Sequence, residues 1–272
     1  MSPPDERHAK PLCEDKHQHR ASLNQDMPTS VDPRLAAAVR HFWQTRRSQG
    51  SRQGTATGNR DRGSRTEVTG GKHLDGFTAL LNDLLMEGGL PDVAILRQRS
   101  KVVLPGFFRP TKQWDLLILV DGMLLGTLEL KAHVGSFGNN ANNRAEEALG
   151  NATDLWAAYR NGAFRPSPQP WLGYLVLVEE AEASTRALKP RSPHFAVFEE
   201  FDNASYIDRY KILCTKLVRE RLYSAACLIV SNRVGGLRGL YREPSPELSF
   251  ANFVGSLRAH ALGHANATPH WN

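Results

Sequence analysis

Two carboxylates and one amine stand at the open end of a possible β-hairpin. Asp115 begins one apolar run, and Glu129 and Lys131 end the next, with Asp121-Gly122 between the two runs. Asp-Gly between β-prone runs is a strong signal for a two-residue turn. Because side chains alternate along a strand, we expect Glu129 and Lys131 on one face and Leu130 on the other. The hairpin would therefore bring the two carboxylates and the amine together.

Two carboxylates at one strand end favour a site for a hard divalent cation. Asp115 and Glu129 supply the oxygen ligands that such ions prefer in proteins. The alternative interpretation is a cross-strand ion pair between Asp115 and Lys131 that only ends the sheet. The residues on either side of the hairpin are therefore needed to decide between a metal site and a structural ion pair.

The segment after Lys131 is rich in side chains that suit nucleic-acid contact. Asparagine can bond adenine edges, arginine can bond guanine edges, and both bind phosphate oxygens. We expect this segment to be a loop, and the alternative is that its asparagines form turns and cap the next helix. The candidate residues for base or phosphate contact in this segment are Asn139, Asn140, Asn142, Asn143 and Arg144.

With these residues in view, the chain resembles the XhoI-type restriction endonucleases, within the PD-(D/E)xK nuclease superfamily. The matching segments are residues 68–77, 104–115, 128–131, 137–150, 154–156, 175–180, 191–195 and 205–210. The resemblance implies Mg²⁺-dependent cleavage of a palindromic hexanucleotide, CTCGAG, by a homodimer in a restriction-modification system. The loop 134–136 is one residue shorter than the family pattern, so we expect it to be reshaped.

The resemblance implies a role for each residue of the hairpin. Asp115 and Glu129 would hold Mg²⁺, with the Leu130 carbonyl as a further ligand, because Mg²⁺ keeps several waters and needs few protein carboxylates. Lys131 would orient or deprotonate the attacking water, or stabilise charge on the phosphate. Arg109 and Lys112, upstream of the hairpin, are further candidates for phosphate or base contact.

Three other acids are candidates for membership of the site. Asp75 could be an additional acid, although its place on the helix before the sheet is more typical of a residue that stabilises the first helical turn. Glu146 and Glu147 are expected in the first turn of their own helix, where acids are favoured whether or not a metal binds.

The apolar pattern predicts an α/β fold of the restriction-endonuclease type, with a mixed β-sheet flanked by helices on both faces. The continuously apolar run 171–178 predicts a central strand. Besides the hairpin, further strands are expected at 93–98 and 225–230. Helices are expected at 34–43, 73–87, 143–159, 206–223 and 249–264.

The 272 residues fit one endonuclease domain over 34–264, after a disordered extension at 1–33 and before a tail at 265–272. Residues 44–72 carry seven basic and two acidic side chains, which indicates a flexible basic arm that neutralises DNA phosphates. Three unrelated cysteines, no signal segment and no membrane-length apolar run favour a cytoplasmic protein.

The expected partners are double-stranded DNA and a second copy of the chain, with a companion DNA methyltransferase in the same system and no membrane. Two other functions remain open from the sequence. One is another PD-(D/E)xK nuclease, such as a repair or structure-specific enzyme. The other is a DNA-binding protein without catalytic activity, which is disfavoured because Asp115, Glu129 and Lys131 are all present.

Overall fold

The computed structural model describes residues 32–53, 72–87 and 93–267. The helices are α1 (Pro33–Gln53), α2 (Asp75–Glu87), α3 (Phe137–Arg160), α4 (Glu182–Thr185), α5 (Tyr206–Arg219), α6 (Arg233–Gly236) and α7 (Phe250–Ala267). The strands are β1 (Val93–Leu96), β2 (Val103–Pro105), β3 (Thr111–Gln113), β4 (Leu116–Val120), β5 (Met123–His133), β6 (Trp171–Glu179) and β7 (Ala225–Ser231). Within these segments, no helix is both long and apolar enough to cross a membrane.

Five of the strands form one mixed sheet in the order β1-β4-β5-β6-β7. β1, β4 and β5 pair antiparallel, whereas β5, β6 and β7 pair parallel. Every residue of β6 is buried, which explains why its sequence is continuously apolar rather than alternating. The prediction of a mixed sheet with a central strand at 171–178 is confirmed.

The two faces of the sheet pack against different helices. Leu128 and Leu130 share one core with Phe77 of α2 and Phe253 of α7, and α1 also contributes to that core. The other face shares a second core with α3 and α5. The helices on both faces confirm the predicted layer arrangement. Since Leu130 points into the first core, its neighbours Glu129 and Lys131 point to the side of α3 and α5.

The β4–β5 hairpin turns at the residues that predicted it. Asp121 and Gly122 have positive φ angles of 50° and 75°, as a type I′ turn requires at both central positions. The turn pairs Val120 with Met123, and a β-bulge between Ile118 and Leu119 then shifts the register by one residue, so that Leu116 pairs with Leu128. The register in turn decides which side chains meet at the far end of the hairpin.

Helix α1 is longer than predicted, and it changes the description of the basic arm. The expected helix ended at Trp43, but α1 continues to Gln53, so residues 44–53 are helical rather than a flexible arm. Arginine and glutamine are good helix formers, and this stretch contains no proline, so the helix has no reason to stop earlier. Residues 54–71, the remainder of the arm except Lys72, lie outside the described residues.

Helix α3 begins six residues before the predicted start, so the expected asparagine loop is wrong. Phe137 anchors the first turn, because its ring stacks on Tyr206 with 5.7 Å between centroids and lies 4.7 Å from the ring of His133. The short connection before it uses left-handed backbone at Gly135 and Ser136. A buried aromatic anchor thus outweighs the modest helix propensity of asparagine.

The ends of the domain also differ from prediction. Asp32 and Pro33 are ordered parts of the fold: the Asp32 N–H donates to the Tyr241 hydroxyl at 3.1 Å, and Pro33 begins α1. Residues 1–31 lie outside the described residues. Helix α7 continues to Ala267, three residues into the expected tail, and 268–272 are not described. Helix α5 ends at Arg219 instead of residue 223.

Candidate active site

The open end of the β4–β5 hairpin brings Asp115 and Glu129 close together. The Asp115 N–H donates to the Leu128 carbonyl at 3.3 Å, just beyond the last named pair of the two strands. The negative charge of Glu129 raises the pKa of Asp115, so the two carboxylates lie near each other. The Leu130 N–H donates to Asp115 Oδ2 at 2.7 Å and fixes this carboxylate against β5.

Glu129 is the buried centre of the cluster, with only 2% of its surface exposed. Lys131 Nζ lies 2.5 Å from Glu129 Oε1, and Lys112 Nζ lies 3.0 Å from Glu129 Oε2. Asn151 of α3 donates from Nδ2 to Glu129 Oε1 at 3.2 Å. The contact between Lys131 and Glu129 confirms that their side chains share a face. One buried carboxylate is thus held between two ammonium groups and an amide.

The charges of this cluster stabilise one another. Burial alone would raise the pKa of Glu129, but Lys131 and Lys112 outweigh it and hold that pKa below its ordinary value. Burial alone would lower the pKa of Lys131, but Glu129 and Asp115 raise it above its ordinary value. Lys131 is therefore cationic at neutral pH, which favours stabilisation of negative charge over proton abstraction.

Asp115 is the member of the pair whose ionised form is disfavoured. The surrounding protein atoms and then the negative charge of Glu129 raise the pKa of Asp115 to about 6, although the residue keeps an exposed surface. A carboxylate placed where its ionised form is disfavoured is typical of a functional site. The arrangement indicates that Asp115 is positioned for something other than the stability of the metal-free fold.

Asp115→Asn is expected to stabilise the metal-free protein at neutral pH. Asparagine can still accept from the Leu130 N–H but carries no charge beside Glu129. Because the raised pKa makes the folded state hold its proton more tightly, wild-type stability falls as pH rises from ~4 to ~6. We expect a gain of up to about 1 kcal/mol above pH ~6, or roughly 2–4 °C in Tm.

Thermal unfolding in EDTA, followed from pH 4 to 8, measures this gain. The gain should shrink steadily as pH falls from ~6 to ~4, because folded Asp115 becomes protonated and the unfolded carboxyl begins to take up its proton. A gain that is equal at all pH values, or a loss at neutral pH, would contradict the electrostatic conflict between Asp115 and Glu129.

The donor atoms at this strand end fit a hard cation. Asp115 and Glu129 offer carboxylate oxygens, and the Leu130 carbonyl lies on the same edge of β5 as its N–H, which already bonds Asp115. Oxygen donors without sulfur or imidazole suit Mg²⁺, which keeps several waters. The described segments contain no group of three or more His, Cys, Asp or Glu side chains placed for a metal, and Asp75 as an additional acid stays a prediction.

A second network fixes the β2–β3 hairpin that carries Lys112. Arg109 donates from Nε to Asp154 Oδ2 at 2.7 Å and from Nη2 to Asn151 Oδ1 at 2.8 Å. Asp154 Oδ1 also accepts the N–H groups of Phe107 and Phe108, each at 2.8 Å. Arg109, expected as a DNA contact, is therefore also a structural clamp between this hairpin and α3.

Asp154→Ala is expected to destabilise the protein by about 1–3 kcal/mol at neutral pH, because three donors lose their shared acceptor. Burial alone would raise the pKa of Asp154, but the N–H of Phe108, the Arg109 guanidinium and the N–H of Phe107 lower it below its ordinary value. The contribution is therefore full above pH ~4 and lost as pH falls further. Denaturant unfolding of both proteins at pH 7 and pH 3 measures it, and an equal loss at both pH values would contradict this account.

The predicted asparagine contacts lie on the first turns of α3. Asn140 Nδ2 donates to the Ser136 carbonyl at 3.3 Å, whereas Asn142 and Asn143 are exposed. The side chain of Asn139 is outside the described part of the chain. Arg144 donates from Nη1 to Glu147 Oε2 at 2.7 Å. DNA contact by these residues stays a prediction, now placed on a helix rather than a loop.

Sequence reasoning missed two members of the site on α3 and assigned a third to the wrong part of the helix. Asn151 and Asp154 were not singled out, although their i, i+3 spacing places them on one helix face. Glu147 was assigned to a first turn, but because α3 begins at Phe137, it lies further along the helix. Its Oε2 stands 3.8 Å from Lys131 Nζ, so Lys131 lies between two glutamates.

Comparison with known proteins identifies the family. The family described as restriction endonuclease XhoI matches residues 53–243. The chain is 48% identical over 212 residues to the type II restriction enzyme BstVI of Geobacillus stearothermophilus, covering 76% of this chain and 94% of the relative. It is 48% identical over 158 residues to the type II restriction enzyme XhoI of Xanthomonas vasicola, covering 57% of this chain and 64% of the relative.

A third relative is the type II restriction enzyme AbrI of Azospirillum brasilense, with 47% identity over 159 residues, covering 58% of this chain and 71% of the relative. No solved structure matches the chain. The family match covers the hairpin that carries Asp115, Glu129 and Lys131, together with the helix that supplies Asn151. The chain belongs to the XhoI family of restriction endonucleases.

Proposed function

We propose that this protein is a type II endonuclease that hydrolyses duplex DNA at the palindromic hexanucleotide CTCGAG and depends on Mg²⁺. The observation that carries the proposal is the buried Glu129 between Lys131 and Lys112, with Asp115 near it at the same end of the hairpin. The names of the relatives support the reaction class, since all three are type II restriction enzymes.

Asp115, Glu129 and the Leu130 carbonyl would hold the metal ion. When bound, Mg²⁺ supplies positive charge at the phosphate and lowers the pKa of a coordinated water. Lys131 stays cationic and stabilises the negative charge that develops on the phosphate oxygens. Glu129 holds Lys131 in place, and Asn151 fixes the Glu129 carboxylate from the side of α3.

The reaction forms one bond between a water oxygen and phosphorus and breaks the bond to the 3′-oxygen. The leaving oxygen takes a proton and becomes a 3′-hydroxyl, and the other fragment keeps a 5′-phosphate. The chain contributes position and charge to this step. Lys131 is not required as the base, because its ammonium lies between Glu129 and Glu147.

A palindromic target is matched by a two-fold symmetric protein. We propose a homodimer in which each copy places one cluster on one strand, with Asn142, Asn143 and Arg144 at the exposed start of α3 as candidates for base or phosphate contact. A companion DNA methyltransferase would protect the same sequence in the host, in a cytoplasmic restriction-modification system.

The test is digestion of a sequenced plasmid with the purified protein and Mg²⁺, followed by sequencing of the fragment ends. We expect discrete fragments with 5′-phosphates inside CTCGAG and no cleavage in EDTA. Discrete ends at another palindrome would keep the class and reject the assigned sequence. Ends that follow DNA structure rather than sequence would favour a repair nuclease, and binding without cleavage would favour an inactive DNA-binding protein.

A further inference from the structure

Two phenylalanines stand exposed at the tip of the β2–β3 hairpin. Phe107 is 51% exposed and Phe108 is 70% exposed. Their rings contact each other edge to face, with 5.0 Å between centroids. Two adjacent large aromatic side chains in water form an apolar patch, and such patches mark contact sites for a partner.

The backbone that presents these rings is rigidly held. Both phenylalanine N–H groups donate to the buried carboxylate of Asp154, and the Gly106 N–H donates to the Pro110 carbonyl at 3.2 Å. A Cβ added at Gly106 would stand 2.7 Å from Asp154 Oδ2, so a glycine is required for this close approach. The fold therefore fixes the backbone and leaves the two rings outward.

The hairpin and the segment that leads into it are basic. Residues 97–112 contain five basic side chains and no acidic one. The four that lie at exposed positions are Arg97, Arg99, Lys101 and Arg109, and the fifth is Lys112. A second copy of this chain would be repelled by like charge, whereas the charge complements a polyanion. Exposed aromatic rings on a basic segment are the combination that binds nucleic-acid backbone and bases.

The tip is connected directly to the candidate active site. Lys112, on the second strand of the hairpin, contacts Glu129, and Arg109 reaches the same carboxylate through Asn151. Phe108 is four residues from Lys112, which limits their separation to about 14 Å. This is the length of about four base pairs, so DNA at the active site lies within reach of the tip.

We propose that Phe107 and Phe108 form an aromatic wedge that inserts at a base step of the bound duplex and unstacks it. The inference rests on the proposed function. Apolar side chains that enter a base step unstack it and bend the DNA, which allows more protein surface to contact it. The Asp154 carboxylate holds the backbone of the wedge through the Phe107 and Phe108 N–H groups. Asn151 links the hairpin, through Arg109, to the Glu129 carboxylate of the proposed active site.

The test compares wild type with the double variant Phe107→Ala/Phe108→Ala. Binding is measured in Ca²⁺ to duplexes that carry 2-aminopurine in place of the adenine of CTCGAG or in place of an adenine set at one flanking position at a time. We expect wild type to raise the fluorescence at one step and the double variant to lose this rise. Binding by the double variant should be roughly 10- to 100-fold weaker, as expected for loss of base stacking.

Two further variants control the comparison. Phe107→Leu/Phe108→Leu keeps an apolar wedge and should keep most of the fluorescence rise. Phe195→Ala removes a phenylalanine that is 82% exposed in a different loop and should bind and unstack DNA as wild type does. Because the rings are exposed, we expect all variants to unfold at the same temperature as wild type. Unchanged unfolding temperatures would exclude a folding defect as the cause of weaker binding.

Several outcomes would contradict the proposal that Phe107 and Phe108 form a wedge. The fluorescence rise could persist in the alanine variant, or no position could respond in a duplex that wild type cleaves with Mg²⁺. A loss of dimers on sedimentation, with DNA signals unchanged, would assign the tip to contact between copies of the chain. If wild type cleaves no DNA at all, the proposed function itself fails, which separates that failure from failure of the wedge alone.

Discussion

Glu129→Gln is expected to lower the rate of duplex cleavage by about 10³-fold or more. Glutamine has nearly the same shape as glutamate but carries no charge, so it should weaken the proposed metal site, and it removes the counter-charge that holds Lys131 and Lys112. A loss of about 4 kcal/mol of transition-state stabilisation corresponds to this factor. Single-turnover cleavage of a one-site duplex, with enzyme in excess, measures the rate.

A matched control is Glu179→Gln on the neighbouring strand β6. Glu179 is also buried, at 5% exposure, and its Oε1 pairs with Arg233 Nε at 2.5 Å. Both substitutions remove a buried carboxylate that faces a cation, so both cost stability. Only the change at Glu129 should stop cleavage when both variants are folded. Equal cleavage rates for the two variants would contradict the assignment of Glu129.

Lys131→Met is expected to lower the cleavage rate by about 10²–10³-fold while leaving metal affinity nearly unchanged. Methionine keeps much of the apolar stem and removes the ammonium that lies between Glu129 and Glu147. We expect the single-turnover rate at saturating Mg²⁺ to fall. The Mg²⁺ concentration that gives the half-maximal rate should stay nearly unchanged.

The comparison variant is Lys112→Met, which removes the other ammonium from the same carboxylate. Lys131 lowers the pKa of Asp115 more than Lys112 does, which places Lys131 closer to the charge balance of both acids. We therefore expect a smaller loss of rate for Lys112→Met. If Lys131→Met were fully active and Lys112→Met inactive, the assignment of Lys131 would be contradicted, and Lys112 would be the lysine that stabilises charge on the phosphate.

The hairpin at the centre of this site could be predicted because its information is local. Asp121-Gly122 specifies the turn, and the alternation of side chains then places Glu129 and Lys131 on one face without any knowledge of the rest of the fold. The contact between Lys131 and Glu129 confirms this reasoning. The central strand β6 was equally predictable, because burial on both faces leaves a continuous apolar run.

The parts that escaped prediction depend on contacts distant in sequence. The early start of α3 depends on the packing of Phe137 against Tyr206, 69 positions later. The contact from Lys112 to Glu129 depends on β2 and β3, which are three residues each and too short to show a period. Asn151 became a site residue only through the position of α3 over the sheet.

The most direct test of the active-site assignment is single-turnover cleavage of a CTCGAG duplex by Asp115→Asn beside Asp121→Asn. The second variant removes a carboxylate from the opposite end of the same hairpin, where a positive φ of 50° suits asparagine. We predict that Asp115→Asn is at least as stable as wild type at neutral pH yet cleaves about 10³-fold more slowly, while Asp121→Asn cleaves normally. Cleavage by Asp115→Asn at the wild-type rate would contradict a catalytic centre at this strand end.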